Sequence, residues 1–346
     1  MKACRIRERQ RLLTRSGRSP PNDRVKRILR ILLGLLMTLL VLVVVIVGLG
    51  IYFLYTPDPE SPALSGKIAK GSIEIGGLTR TYQLYLPKEP SKAPPLVIVM
   101  HGSGESSGDI RVETGYAFER LADKQGFAVV YPDAVKGEWN GCAHQDEAIE
   151  AIDDVGFLAA LSDKLAEEAG IDPDRVFATG VSAGGDMALR LALEAPSRYR
   201  AVAPVAANLP VPESSQCKAQ AQAGMSVLLV HGTKDGLEPF EGGEGSLFGF
   251  YRSGKLLSTR DTARYFADLD GIAAGPTIIR SKTADGFPFE QTVWHGQSPL
   301  EVELYAIEGA GHVFPQPYYR ARRILGSSPE DPDGAVLIWD FFARQK

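Results

Sequence analysis

The chain has 346 residues, 44% hydrophobic and 23% charged, an ordinary globular composition that excludes a disordered, collagen-like or disulfide-scaffold chain. Its net charge of −4 hides an asymmetry: the first thirty residues hold eleven Lys or Arg against Glu8 and Asp23, and the rest hold 27 basic and 40 acidic side chains. A basic arm alone could suit nucleic acid, but the segment after it points to a membrane, so no nucleic-acid partner is expected.

Residues 31–55 are almost wholly apolar and uncharged. About 20 apolar residues in a helix span the hydrocarbon core, so this stretch is long enough with some tilt. Tyr52 and Tyr55 stand near its far end, where aromatic rings favour the interface. Arg24, Lys26, Arg27 and Arg30 precede it, and positive charge stays cytoplasmic. The reading is therefore a basic cytoplasmic arm over 1–30 and a signal-anchor transmembrane helix over 31–55. A Pro-rich linker over 56–66 follows, then a catalytic domain over 67–346 outside the membrane. The alternative is a secreted protein released at Ser61-Pro62-Ala63, although a signal core of about 7–15 residues would be shorter than this one. Cys4 then lies in the cytoplasm. Cys142 and Cys217 lie in an oxidising compartment, as a disulfide or as two buried thiols.

Beyond the linker, residues 72–75 and 81–86 flank Gly76-Gly77 and predict a β-hairpin. Apolar runs at 96–100, 128–131, 176–178, 201–206, 227–230 and 302–307 predict strands buried on both faces. Helices are predicted over 148–169, stopped by Gly170, and over 184–195, stopped by Pro196. Another starts at Ser258, with Asp261 completing a capping box, and the last covers 334–344. A hairpin followed by alternating strands and helices gives the fold class: α/β, an α/β-hydrolase fold. It has a mostly parallel twisted sheet with helices on both faces, preceded by one transmembrane helix. Residues 241–257, rich in Gly and aromatic residues, read as a lid.

Gly180-Val181-Ser182-Ala183-Gly184 matches G-x-S-x-G. The motif alone is weak, but a strand enters it and a helix leaves it, which is the context of a nucleophile elbow. Ser182 needs a base to take its proton, and that base needs an acid to orient it. In this fold the order is Ser, acid, His. His312 follows the strand over 302–307, and Asp235 follows the strand that ends at His231. Both therefore sit in loops at the catalytic edge, as base and orienting acid. Glu238 and Asp261 are the reserve acids, and His295 reads as a surface residue. The oxyanion hole is assigned to the backbone N–H of Ala183 and of Ser103, in the Gly-flanked loop after 96–100. His101 reads as a structural residue of that loop. No metalloprotease, P-loop or zinc-ribbon pattern occurs, so neither metal nor cofactor is expected.

The chain resembles the secreted esterase family of poly(3-hydroxybutyrate) depolymerases, feruloyl esterases and acetylxylan esterases. The likeness runs from about residue 71 to 342. It is carried by Arg80-Thr81-Tyr82-Gln83-Leu84-Tyr85-Leu86-Pro87, Val130-Tyr131-Pro132-Asp133, Trp139-Asn140-Gly141-Cys142 and Asp153-Asp154-Val155-Gly156-Phe157. The elbow, His231-Gly232-Thr233-Lys234-Asp235 and Gly309-Ala310-Gly311-His312 complete it. The resemblance implies the triad Ser182, Asp235 and His312. The chain has Ala143 where the family often carries a second Cys, Phe314 where Trp is common, and no Cys after His101-Gly102. Trp139, Asn140 and Tyr116 are candidate pocket residues, with packing of its own loop as the other reading of Trp139. Asp153 and Asp154 read as helix-opening carboxylates. The expected partner is a small-molecule or polymer-derived ester. A peptidase or thioesterase on the same triad, or a non-catalytic membrane-tethered binding module, is the alternative.

Overall fold

The computed structural model describes residues 23–144, 146–218, 224–247, 251–296 and 299–345. Two compact units divide between Tyr55 and Thr56. The first contains one helix, α1 (Asp23–Leu54), with no buried residue. It is long and apolar enough to cross a membrane. It starts inside the basic arm rather than at the apolar run. Arg and Lys are good helix formers, and Asp23 in the first turn suits the positive end of the dipole.

The second unit opens with β1 (Lys67–Ile75) and β2 (Leu78–Leu86), an antiparallel pair. Gly76 and Gly77, at φ 59° and 76°, form a two-residue turn whose twist matches the strands. Then come β3 (Leu96–Met100), β4 (Ala128–Pro132), β5 (Val176–Val181), β6 (Ala201–Val205) and β7 (Ser226–Gly232). They are followed by β8 (Gly243–Leu247), β9 (Tyr251–Leu256), β10 (Thr277–Lys282), β11 (Pro288–His295) and β12 (Glu301–Ile307). The helices are α2 (Ser107–Glu113), α3 (Ala117–Gln125), α4 (Glu147–Glu150), α5 (Asp154–Ala169), α6 (Ala183–Glu194), α7 (Thr259–Leu269) and α8 (Gly334–Arg344).

Ten strands form one sheet in the order β1-β2-β4-β3-β5-β6-β7-β12-β11-β10. The inner run from β4 to β12 is parallel, and antiparallel pairs close both ends. Successive side chains face opposite sides of a sheet. Leu96, Ile98 and Met100 accordingly join a core with α5, α6 and α7, whereas Val97 and Val99 join another with α2, α3 and α8. Helices therefore cover both faces. The parallel run also sends the loops after β3, β5, β6, β7 and β12 to one edge, where ligands bind in such sheets.

The structure departs from the expected elements in several places. The helix expected over 148–169 is broken: α4 ends before Ala151, and Asp153 starts α5 by accepting from the Gly156 N–H at 2.8 Å. Helix α2 buries only Ser107 and Ile110, so it leaves no helical period in the sequence. Strand β10 is exposed along its whole length, so it shows no alternation. The stretch expected as a lid contains the β8–β9 pair, tied to the main body where Val211 N–H donates to the Lys255 carbonyl; residues 248–250 lie outside the described residues.

Cys142 and Cys217 are joined in a disulfide with Cα atoms 4.9 Å apart. Cys4 lies outside the described residues. Linking positions 75 residues apart constrains the unfolded chain by about 4 kcal/mol on the chain-entropy account. Reduction of the full-length protein in detergent is expected to lower its unfolding free energy by about 2–5 kcal/mol. A urea midpoint that does not move under reductant would overturn this.

Candidate active site

Ser182 joins β5 to α6 with φ 55° and ψ −121°, a conformation that costs a non-glycine residue energy and persists only where its surroundings enforce it. Here glycines enforce it. A Cβ on Gly180 would lie 2.4 Å from the Gly184 backbone, and one on Gly184 would lie 2.3 Å from the Met100 carbonyl. The strand can therefore turn straight into the helix only with glycine at both positions. The Ser182 N–H donates to the Val205 carbonyl at 3.0 Å, which ties the elbow to the end of β6. Among the described residues, Ser182 Oγ has no hydrogen bond.

Asp235 and His312 are brought together. The His312 Nδ1–H donates to Asp235 Oδ2 at 2.7 Å, and the two side chains are nearly fully buried. Glycine again permits the approach: a Cβ on Gly232 would lie 2.4 Å from the Gly311 carbonyl. Asp235 Oδ1 accepts from the N–H groups of Leu237 at 2.9 Å and Glu238 at 2.8 Å. His231, which sequence reasoning did not assign to the site, puts Nε2 3.3 Å from Asp235 Oδ2 and 2.7 Å from the Glu238 carbonyl. Burial opposes ionisation of Asp235, but His312 and His231 outweigh it and hold the carboxyl well below the usual carboxylate range. The i, i+4 spacing of His231 and Asp235 was the available signal, although they lie at a strand end and not on a helix. Of the reserve acids, Asp261 lies in the first turn of α7 with Ser258, and Glu238 lies near Asp235, where burial, then Asp186 and Asp235, push its carboxyl well above the carboxylate range.

The loop after β3 packs on the elbow, with the Gly102 Cβ position 3.8 Å from Ser182 Cβ. The Gly102 N–H donates to Glu105 Oε2 at 2.9 Å and the Gly104 N–H to the Gly137 carbonyl at 3.0 Å. Between them the Ser103 N–H has no acceptor among the described residues, and neither has that of Ala183 at the first position of α6. Both assigned oxyanion donors are therefore unengaged. His101 holds the loop: Nδ1–H donates to the Gly102 carbonyl at 2.7 Å, and Nε2 accepts from the Ala134 N–H at 3.0 Å.

The candidate pocket residues have internal partners instead. Trp139 is fully buried, and its Nε1–H donates to the His101 carbonyl at 3.0 Å, so it packs beneath the loop after β3 and offers no surface to a substrate. Asn140 is buried, donates to the carbonyls of Glu150 and Ile152, and accepts from Gln216. Tyr116 caps α3 at φ 56°, with the Arg111 guanidinium 5.4 Å from its ring. Asp154 pairs with Arg80 in the interior at 2.7 Å. His295 is exposed at the end of β11. A cleft of about 350 Å³ beside Ser103 is lined by Glu105, Glu113, Arg322 and Leu325; the Leu325 carbonyl accepts from the His312 N–H at 2.7 Å. A larger one, about 490 Å³, lies at the opposite edge, by Tyr199, Ser226 and Arg344, and contains none of the assigned residues.

The family model described as esterase PHB depolymerase matches residues 80–221. A protein of Nocardia uniformis subsp. tsuyamanensis, named "Putative esterase NocK", is 30% identical over 305 residues, covering 83% of this chain and 86% of that protein. Poly(3-hydroxyalkanoate) depolymerase C of Paucimonas lemoignei is 25% identical over 65% of this chain, and feruloyl esterase C of Emericella nidulans is 29% identical over 51%. This chain spans 57% and 62% of those two proteins, less than two thirds of either. Among solved structures, an acetyl xylan esterase from Aspergillus awamori matches at TM-score 0.52 and 14% identity. The match covers 80% of this chain and 99% of that one, and it shows the shared fold.

One buried carboxylate at the elbow has a pH signature. Asp186 Oδ2 accepts from the N–H groups of Cys142 and Ala143 at 3.0 and 3.3 Å, while Oδ1 is buried without a hydrogen bond. Burial pushes this carboxyl up to about 6. A raised acid binds its proton more tightly folded than unfolded, so its penalty grows between about pH 4 and pH 6 and is complete above that. Two units correspond to about 3 kcal/mol. Asp186→Asn keeps an acceptor for both N–H groups and removes the charge. It is expected to be more stable than the parent by up to about 3 kcal/mol at pH 8, with the advantage gone by pH 4. Urea unfolding at the two pH values tests this, and an equal difference at both would contradict it.

Proposed function

We propose that this chain, which belongs to the esterase family of PHB depolymerases, works as a serine esterase with Ser182 as nucleophile, His312 as base and Asp235 as orienting acid. Hydrolysis of carboxylic esters is the chemistry of that family. The observation that carries the assignment is the 2.7 Å bond from His312 to an Asp235 with four donors around it, at the sheet edge where Ser182 makes its forced turn. With its Nδ1–H committed to Asp235, the imidazole keeps Nε2 as a lone pair for the Ser182 proton.

Ser182 Oγ attacks the ester carbonyl carbon as its proton passes to His312 Nε2. The carbonyl oxygen becomes an oxyanion between the N–H groups of Ala183 and Ser103. The bond to the alcohol breaks, His312 protonates the departing oxygen, and an acyl-Ser182 remains. Water then gives a proton to His312 and attacks the acyl carbon, which releases the acid and restores Ser182. Asp235 stays ionised and stabilises the imidazolium in both steps. The Ser182–His312 hydrogen bond, unmade here, forms with substrate, as such contacts tighten in the reacting complex. The substrates are esters of the polyhydroxybutyrate, feruloyl or acetyl type.

Helix α1 anchors the protein with its basic arm in the cytoplasm and the catalytic domain outside. The Cys142–Cys217 bond suits an oxidising compartment. Short-chain p-nitrophenyl esters assayed with the full-length protein in detergent test the triad. Ser182→Ala and His312→Ala are each expected to lower kcat roughly 10⁴-fold or more, and Asp235→Asn by about 10²–10⁴. Parental rates in Ser182→Ala would remove the serine mechanism and leave the family membership standing.

A further inference from the structure

We propose that Glu138 is a positioning residue for the oxyanion hole, acting through the Ser103 hydroxyl; this rests on the serine-esterase reading above. The inference starts from what could go wrong with Ser103. It is exposed, it lies outside any helix or strand, and it is flanked by Gly102 and Gly104, the latter at φ 72°. Glycine on both sides lets the backbone come close to a substrate, and it also lets the peptide rotate. An oxyanion donor that rotates loses its value, because this stabilisation depends on the N–H pointing beforehand at the place where charge develops.

Four contacts from residues 134–139 hold the loop. The Ala134 N–H donates to His101 Nε2, the Gly104 N–H donates to the Gly137 carbonyl, and Trp139 Nε1–H donates to the His101 carbonyl, each at 3.0 Å. The fourth is the Ser103 hydroxyl, 2.6 and 2.7 Å from the two carboxylate oxygens of Glu138. The first three act on residues 101 and 104. The fourth alone grips residue 103, whose own N–H is left for the substrate.

The holding segment is itself fixed. Lys136 at φ 55° and Gly137 at φ 78° make a tight turn, closed by the Glu138 N–H donating to the Val135 carbonyl at 3.0 Å. A Cβ on Gly137 would lie 3.2 Å from the Gly104 backbone, so the turn presses directly on the loop. The competing reading is a surface Ser–Glu hydrogen bond with no role, and such bonds add little to stability. Kinetics separates the two. The oxyanion exists only in the transition state, so a positioning role appears in kcat and leaves KM nearly unchanged.

The test uses the full-length protein in detergent and p-nitrophenyl acetate. Glu138→Ala and Ser103→Ala are each expected to lower kcat about 10–50-fold with KM within a factor of two, a fraction of the roughly 10²–10³ of a lost donor. Glu138→Gln, whose amide oxygen still accepts the hydroxyl, is expected to recover most of kcat. The Ser103→Ala, Glu138→Ala double variant is expected to be no slower than either single variant, because both remove one contact. The proposal is overturned by unchanged kcat in Glu138→Ala, by multiplying losses in the double variant, or by Glu138→Gln as slow as Glu138→Ala. Ser182→Ala in the same assay keeps the two readings apart. If it is inactive while Glu138→Ala matches the parent, only the Glu138 proposal fails; if it is active, the serine reading fails.

Discussion

The turn at Ser182 governs the architecture around it. A non-glycine residue at positive φ is held only where neighbouring backbone leaves no other path. Here Gly180 lies against Gly184, and Gly184 against the Met100 carbonyl. That close contact sets the distance between β5, α6 and the end of β3. It also makes the loop over residues 101–105 a neighbour of Ser182, and it brings the first N–H of α6 alongside. Adding one methyl group at either glycine would push the strand, helix and loop apart together.

A second glycine contact works in the same way across the sheet. Gly232 after β7 and Gly311 after β12 approach so closely that no Cβ fits between them. Asp235 and His312 follow these two positions by three residues and one residue. Neighbouring parallel strands supply the geometry: β6 lies between β5 and β7, and β12 pairs with β7. The placement of Ser182, Asp235 and His312 therefore depends on backbone clearance before it depends on any polar contact.

Much of this was legible in the sequence because it is local. The elbow is five adjacent residues between a β-branched run and a helical run. The sequence puts Asp235 and His312 each after a strand, and the structure brings the two side chains together. What the sequence did not show depends on contacts between distant segments. Glu138 meets Ser103 across 35 residues, and nothing in the string marks the pair. His231 reads as the end of a strand until burial places it on Asp235. Trp139 is an aromatic residue in a stretch flanked by Gly137 and Gly141, which fits a pocket wall and a buried wedge equally well, and only its zero exposure decides. Asp153 and Asp154 did mark a helix start, and Asp153 caps α5 through the Gly156 N–H, but the apolar spacing upstream masked the break between α4 and α5.

Three carboxyl groups beneath the elbow show how the surroundings sort acids that share one name. Asp235 has two backbone N–H donors and two imidazoles, and it stays ionised. Asp186 has two backbone donors for one oxygen and none for the other, and burial raises it to about 6. Glu238, buried near both, is pushed well above the carboxylate range. Like charges held close in a poorly solvated site cannot all ionise. The donors therefore decide which ionises most readily, and they favour the acid that faces His312. The donors around Asp235 let it ionise first as pH rises, and Asp186, with one oxygen lacking a hydrogen bond, follows only near pH 6.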